Sequence, residues 1–319
     1  MIGGRACGWV FTRAGDRLGR CSVGGVSSAP SIQTDPFARV AALPGVDEAV
    51  AAARSAVDAL LRHRVLRRQS ADVTAEASLR SARASAALER HELPLETLRS
   101  WLTAGGDADA GPGGPRGSGG EELAVTLAAV RLYAELGSLA TSWERAPRQA
   151  LARMHTLVGR GIVADGDLGR PRRSPTAADP LGLGAPPGPA EVSARLDGLV
   201  GLLVERTTAP AIVVAAIVQG ELLALRPFGA LDGMVARAAG RLVLVDRGLD
   251  PKAVTATDVG HLEAGQGDDA VADYRAAAAG YAQGGVDGLR TWLLHCARAV
   301  ELGARESLAV CEAISRAAS

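Results

Sequence analysis

Aromatic residues are scarce: Phe, Trp and Tyr together make up 3% of the 319 residues. A core without aromatic bulk is assembled from alanine, valine and leucine, and Ala/Leu-rich sequence with few β-branched clusters favours helix. Net charge is also missing, since 35 basic residues balance 35 acidic ones. That balance excludes a global electrostatic pull toward nucleic acid or an anionic membrane. Cysteine is limited to Cys7, Cys21, Cys296 and Cys311. None forms a CxxC pair or a Cys/His cluster with metal-ligand spacing, so free thiols in a reducing cytosol are expected. No apolar run is long enough to span a bilayer. The most apolar, "APAIVVAAI", soon meets Gln219 and Glu221 and reads as a buried core helix. Arg5, Arg13, Arg17 and Arg20 come without a continuous apolar stretch, which excludes a signal peptide. No fixed-period repeat is present. The expected location is cytoplasmic.

What is present is helical periodicity. Residues 1–35 lack it and are expected to form a disordered tail. From Val46, Val50, Ala53, Val57, Leu60 and Leu61 make one apolar stripe, with Asp47 and Glu48 favourable in the first turn. A second helix is predicted over 74–92 and a short third over "PLETLRSWL", completing an N-terminal helical segment, 36–104. Residues 105–120, glycine-rich, read as a flexible linker. Their glycines mimic dinucleotide spacing, but no strand precedes them. Residues 121–319 are expected to form the main helical domain. Its helices are predicted over 121–142, 147–160, 190–207, 210–225 and 233–247, then one or two shorter ones and a long C-terminal helix. The fold class is all-α.

The stretch "LALRPFGALDGMVAR" lies between two of these helices. An apolar helix, a Pro-Phe pair, a glycine-bearing loop and a second helix ending in "RGLDP" resemble the Fic (Fido) family. The resemblance runs over most of the chain from about residue 36. "SARASAALER" sits where many members carry an inhibitory Ser/Thr-x-x-x-Glu-Gly/Asn segment. "ALARMHTLVGRGI" and "VDGLRTWLLHCARAVELGA" resemble further helices of that fold. Membership implies AMP transfer from ATP to protein hydroxyls through His-x-Phe-x-(Asp/Glu)-Gly-Asn-Gly-Arg-x-x-Arg.

Against that motif, Pro227, Phe228, Gly233 and Arg237 fit. Arg226 stands at the histidine, Ala230 at the acidic metal ligand, Leu231 at the first glycine, Asp232 at the asparagine and Met234 at the first arginine. A guanidinium stays charged and offers no acceptor, so Arg226 cannot be a general base. Losing such a base costs on the order of 10²- to 10⁴-fold. Ala230 removes the carboxylate that Mg²⁺ needs beside substrate phosphates, and no other metal set is expected. No catalytic residue is assigned. Arg226, Phe228, Gly229, Gly233 and Arg237 remain candidates for phosphate or nucleotide contact, with ATP the candidate ligand, because Gly233 opens a helix N-terminus. The competing expectation pairs Arg226 with Asp232 across the loop, leaving the pocket neutral.

Ser85 and Glu89 share one helix face. The resemblance implies that Glu89 reaches Arg237 and blocks nucleotide, although Arg90 replaces the Gly/Asn that should follow. Residues 161–192 correspond to the family's flap and are expected to be a solvated, mobile loop, in which Arg170, Arg172 and Arg173 form at most a local basic patch. His155, His261 and His295 have no companion spacing and are expected to be helix or surface residues. Asp268, Asp269 and Asp273 read as helix-start charges.

The leading expectation is a catalytically degenerate Fic-like protein, a regulatory or protein-interaction module with at most residual nucleotide or phosphate binding. The alternatives are an adenylyltransferase-like enzyme of altered chemistry, acting on protein hydroxyls with Arg226 and Arg237 as clamps, and a structural helical scaffold. A protein partner or target and a nucleotide are the partner classes left open; nucleic acid and membrane are not expected.

Overall fold

The computed structural model of the chain describes residues 35–105, 120–205, 207–265, 269 and 271–317. The predicted tail below Asp35, the interior of the linker, Cys7, Cys21 and Asp268 lie outside the described residues. Among the described residues the regular elements are all helical. In chain order they are α1 (Pro36–Ala41), α2 (Val46–Leu61), α3 (Ser70–Leu88), α4 (Leu95–Thr103), α5 (Gly120–Ala134), α6 (Leu136–Arg145) and α7 (Pro147–Gly159). They continue as α8 (Pro189–Val204), α9 (Ala211–Leu225), α10 (Asp232–Asp246), α11 (Thr257–Glu263), α12 (Ala272–Gln283) and α13 (Val286–Ala317). A short 3-10 turn, Arg64–Arg67, joins α2 to α3.

The predicted stripe of α2 is buried at Val50, Ala53, Val57 and Leu60, while Leu61 is half-buried. This face lies along α13. α1 was not foreseen. Asp35 caps it by accepting from the main-chain N–H groups of Phe37 and Ala38, and Phe37 plugs into the core. The same carboxylate accepts from the Thr207 hydroxyl and the Thr208 N–H. Those bonds take Thr207 out of α8, which ends earlier than its periodicity predicts.

Residues 121–142, expected as one helix, form two that bend by 61°. The break at Glu135 turns Leu136, Leu139 and Trp143 inward, onto α7 and α10. Burial of those three side chains outweighs continued helix propensity. No single helix among the described residues is long and apolar enough to cross a membrane.

α9 is buried on every side from Ile212 through Leu225, as befits a helix at the centre of a core. α10 packs along it and is buried from Asp232 through Leu244. Around this pair, α3 brings Ser85 and Glu89 to the N-terminal end of α10. α11 crosses α13 at two glycines. A Cβ on Gly260 would stand 1.8 Å from the Ala299 carbonyl oxygen, and one on Gly303 2.4 Å from that of Ala256. This close approach sinks α11 into the core and fully buries Asp258.

Candidate functional site

The loop from Arg226 to Leu231 connects the two central helices. Arg226 ends α9 at φ 45° and Leu231 precedes α10 at φ 56°, both left-handed. Non-glycine residues there cost roughly 1–2 kcal/mol each, so the surroundings must hold the loop. Two side chains do so. The Asp232 carboxylate reaches back and accepts from the N–H groups of Phe228 and Gly229, at 2.8 Å each. Arg172 donates to the carbonyls of Arg226 (2.8 Å), Leu225 (3.2 Å), Ser174 (2.6 Å) and Pro187 (2.6 Å).

Residues 161–192 are largely exposed, as expected of a solvated loop, but Arg172 ties them to the site. Its own N–H donates to the Pro227 carbonyl and that of Ala178 to Gly229, both at 2.8 Å. The segment lies fastened over the site. Arg172 is buried, so it contributes to no surface basic patch, while Arg170 and Arg173 stay exposed.

The expected pairing of Arg226 with Asp232 does not form. The left-handed end of α9 directs the Arg226 guanidinium toward the fastened segment. There it meets Asp179 Oδ1 at 3.2 Å and the carbonyls of Ala178 and Gly184. Asp232 is consumed by the loop amides instead. Burial raises its pKa to about 7; the two amides oppose that shift, Glu89 adds to it and Arg172 lowers it.

Glu89 and Arg237 meet. Nη2 of Arg237 donates to Glu89 Oε1 at 2.8 Å, with both side chains buried. The rest of the guanidinium is engaged too: Nε with Ser85 Oγ (2.9 Å), Nη2 with the Ser85 carbonyl (2.9 Å), and Nη1 with the Tyr274 hydroxyl (3.1 Å). Asp258 Oδ1 is 3.6 Å from Nε and accepts from Tyr133. Burial disfavours charge on Arg237, but Tyr274, Glu89, Tyr133 and Asp258 outweigh it and raise the pKa. Arg90, where glycine or asparagine would be usual, has φ 71°. The N–H groups of His91 and Arg90 bond to the carbonyls of Ala86 and Ala87, a Schellman ending for α3. The backbone therefore takes the shape that glycine would favour, and this shape leaves Glu89 over α10.

The histidines are more involved than their spacing suggests. His155, fully buried on α7, stacks on Phe228 at 4.4 Å and 6°. Its Nδ1 accepts from the Gly169 N–H. Burial lowers its pKa to about 4, against the Ala230 main chain and Asp167. It braces Phe228 from inside the core, with no route to a substrate. His261 and His295, expected to lack companions, are 3.1 Å apart between Nδ1 and Nε2. His261 Nε2 also faces Gln219 Nε2 at 3.1 Å. Asp179, Arg172, Asp258, Tyr133 and Tyr274 were all missed by sequence reasoning. They come from four separate segments, Arg172 and Asp179 sharing the stretch between α7 and α8, and carry no shared spacing.

A cavity of about 250 Å³ opens beside the loop. Its walls include Ile162, Leu181, Leu183, Leu223 and Leu231, and Glu89, Asp179, Arg226 and Asp232 supply its charge. Ligand pockets usually run from about 300 to 1,000 Å³. A nucleotide does not fit these residues as they stand. Two loop N–H groups are spent on Asp232. Glu89 Oε1 lies 1.8 Å from where a Gly233 Cβ would be, covering the start of α10. Nor do they fit Mg²⁺: position 230 is an alanine, and Asp232 is bound to main chain. Among the described residues no group of three or more His, Cys, Asp or Glu is placed to hold a metal.

No protein-family model matches the sequence, and no curated protein matches it. Solved structures do. A Fic family protein from Desulfovibrio desulfuricans G20 aligns with TM-score 0.61 and 20% identity, covering 84% of this chain and 75% of that one. Residues 134–508 of Fic-1 from C. elegans align with TM-score 0.57 and 17% identity, covering 84% and 73%. The chain therefore has the all-α Fic fold.

Proposed function

We propose that this chain is a catalytically degenerate Fic-like protein. It acts as a regulatory or protein-interaction module with at most residual nucleotide or phosphate binding. The observation that carries the reading is the self-occupied anion site at the start of α10. The Asp232 carboxylate takes the loop amides and Glu89 covers Gly233. Phosphate would have to displace two carboxylates from a site that already repels it. The chemical positions point the same way. Arg226 is tied to Asp179 and offers no base. Ala230 offers no metal ligand, and Met234 is fully buried, so it supplies no clamp.

The test is calorimetry of wild type and Glu89→Gly with ATP, with and without Mg²⁺, beside mass-tagged ATP incubated with a target-protein mixture. The expected outcome is no AMP incorporation and no ATP heat in wild type, with weak, Mg²⁺-independent heat in Glu89→Gly. AMP appearing on the chain or on any target would overturn the proposal.

A further inference from the structure

Six cations gather on one face remote from the loop. Arg62, Arg64, Arg67 and Arg68 flank and form the turn between α2 and α3, and all four are exposed. Arg64 Nη2 donates to Ser315 Oγ at 2.7 Å, which brings in the end of α13 and its exposed Arg316. Lys252, after α10, donates through Nζ to the Leu66 carbonyl at 2.8 Å, and its own carbonyl accepts from Thr74. Three segments far apart in sequence thus converge. Asp58, Asp72 and Glu312 are the carboxylates on the same stretches, yet none forms an ion pair with the six. Arg80, Arg99, Arg195, Arg298 and Arg305, by contrast, have carboxylate partners.

We propose that this face docks an acidic segment of a partner protein. An unpaired cluster of like charge repels itself, and an anion laid across it relieves that repulsion. Five of the six are arginines, whose planar forks match carboxylates two bonds at a time. The turn carries no Phe, Tyr or Trp on which a nucleic-acid base could stack; its one ring, His63, is half-buried and caps the turn by accepting from the Val65 N–H. Val65 and Leu66 are buried, so the turn itself offers no apolar side chain to a lipid bilayer. The chain as a whole has zero net charge, so it exerts no long-range attraction on a polyanion.

The experiment is fluorescence anisotropy of the full chain with a fluorescein-labelled glutamate-rich peptide. Its glutamine counterpart, a single-stranded DNA of equal charge and phosphatidylserine vesicles serve as competitors. Wild type binds the glutamate peptide, and added salt weakens it. Arg67→Glu/Arg68→Glu weakens it by about tenfold or more, with unchanged thermal unfolding because both residues are exposed. Arg153→Glu, exposed on α7, leaves it unchanged. Absence of peptide binding, equal binding by the double variant, or tighter binding of DNA or vesicles would overturn the proposal. These readouts do not involve ATP or the α10 site, so they stand or fall apart from the degenerate-enzyme reading.

Discussion

Replacing Glu89 by Gln should cost less stability than replacing Arg237 by Met, although both remove the Glu89–Arg237 ion pair. Glu89 Oε1 lies 2.8 Å from Nη2 of Arg237, and Asp258 Oδ1 lies 3.6 Å from Nε. With an effective dielectric near 20, these distances correspond to gross attractions of about 6 and about 5 kcal/mol. Glu89→Gln removes the first, keeps a carbonyl that Nη2 can still reach, and leaves Arg237 with Asp258, Ser85 and Tyr274. It also spares the burial of one carboxylate. A net loss of about 2–3 kcal/mol follows, below the usual about 3–5 for a stranded charge. Arg237→Met strands Glu89 and leaves Asp258 with Arg241 as its nearby cation, and should reach about 3–5 kcal/mol. The double variant should lose less than the sum of the two. Urea unfolding of the four proteins measures this. Equal losses, or a larger loss in Glu89→Gln, would refute the shared-cation picture.

Stability should respond to pH through two opposed sets of groups. Asp232 has a folded pKa near 7 against 3.8 unfolded. Its contribution is full below about 4 and is lost as pH rises through 7, at up to about 1.4 kcal/mol per unit. His155 and His295 are depressed to about 4, and His261 is lowered as well. Their contribution is full above 6.5 and is lost as pH falls toward 4. Acidification below 6.5 should therefore destabilise the protein, more steeply in Asp232→Asn; urea midpoints from pH 4.5 to 8 read the slopes, and a flatter acid limb in the variant would contradict them. Arg90→Gly should raise stability by about 0.5–1 kcal/mol by relieving a left-handed arginine, visible as a higher urea midpoint; a lower midpoint would mean that the exposed bond from Arg90 to the Pro180 carbonyl matters more. Gly260→Ala should cost about 3 kcal/mol or more, because its methyl would collide with the Ala299 carbonyl; a thermal scan showing no change would contradict the close crossing of α11 on α13.

Much of the helical layout was legible because helix periodicity repeats over a few residues. The α2 stripe, the all-round apolar α9 and the α10 that follows the loop could all be read from residue spacing. The α5–α6 bend could not, because both halves are good helix formers and only Trp143, Leu139 and Leu136 seeking α7 and α10 separate them. The candidate site was half legible. Ser85 and Glu89 share a face by geometry alone, and Arg226, Ala230 and Met234 reveal their chemistry by residue type. Arg172 gave no signal: three nearby arginines in a proline-rich loop look alike until one is buried beneath the turn.

By itself the sequence determined that the chain is helical, that its core is aliphatic, and that position 226 carries a permanent charge with no acceptor. These follow from residue chemistry and from a repeat set by covalent geometry. Tertiary structure alone decided which charge meets which. Arg226 finds Asp179 rather than Asp232, Glu89 finds Arg237 across 148 residues, and Arg195 finds Glu221. Attraction between charges depends on separation in space after desolvation, and separation along the chain carries no record of it until the helices have packed.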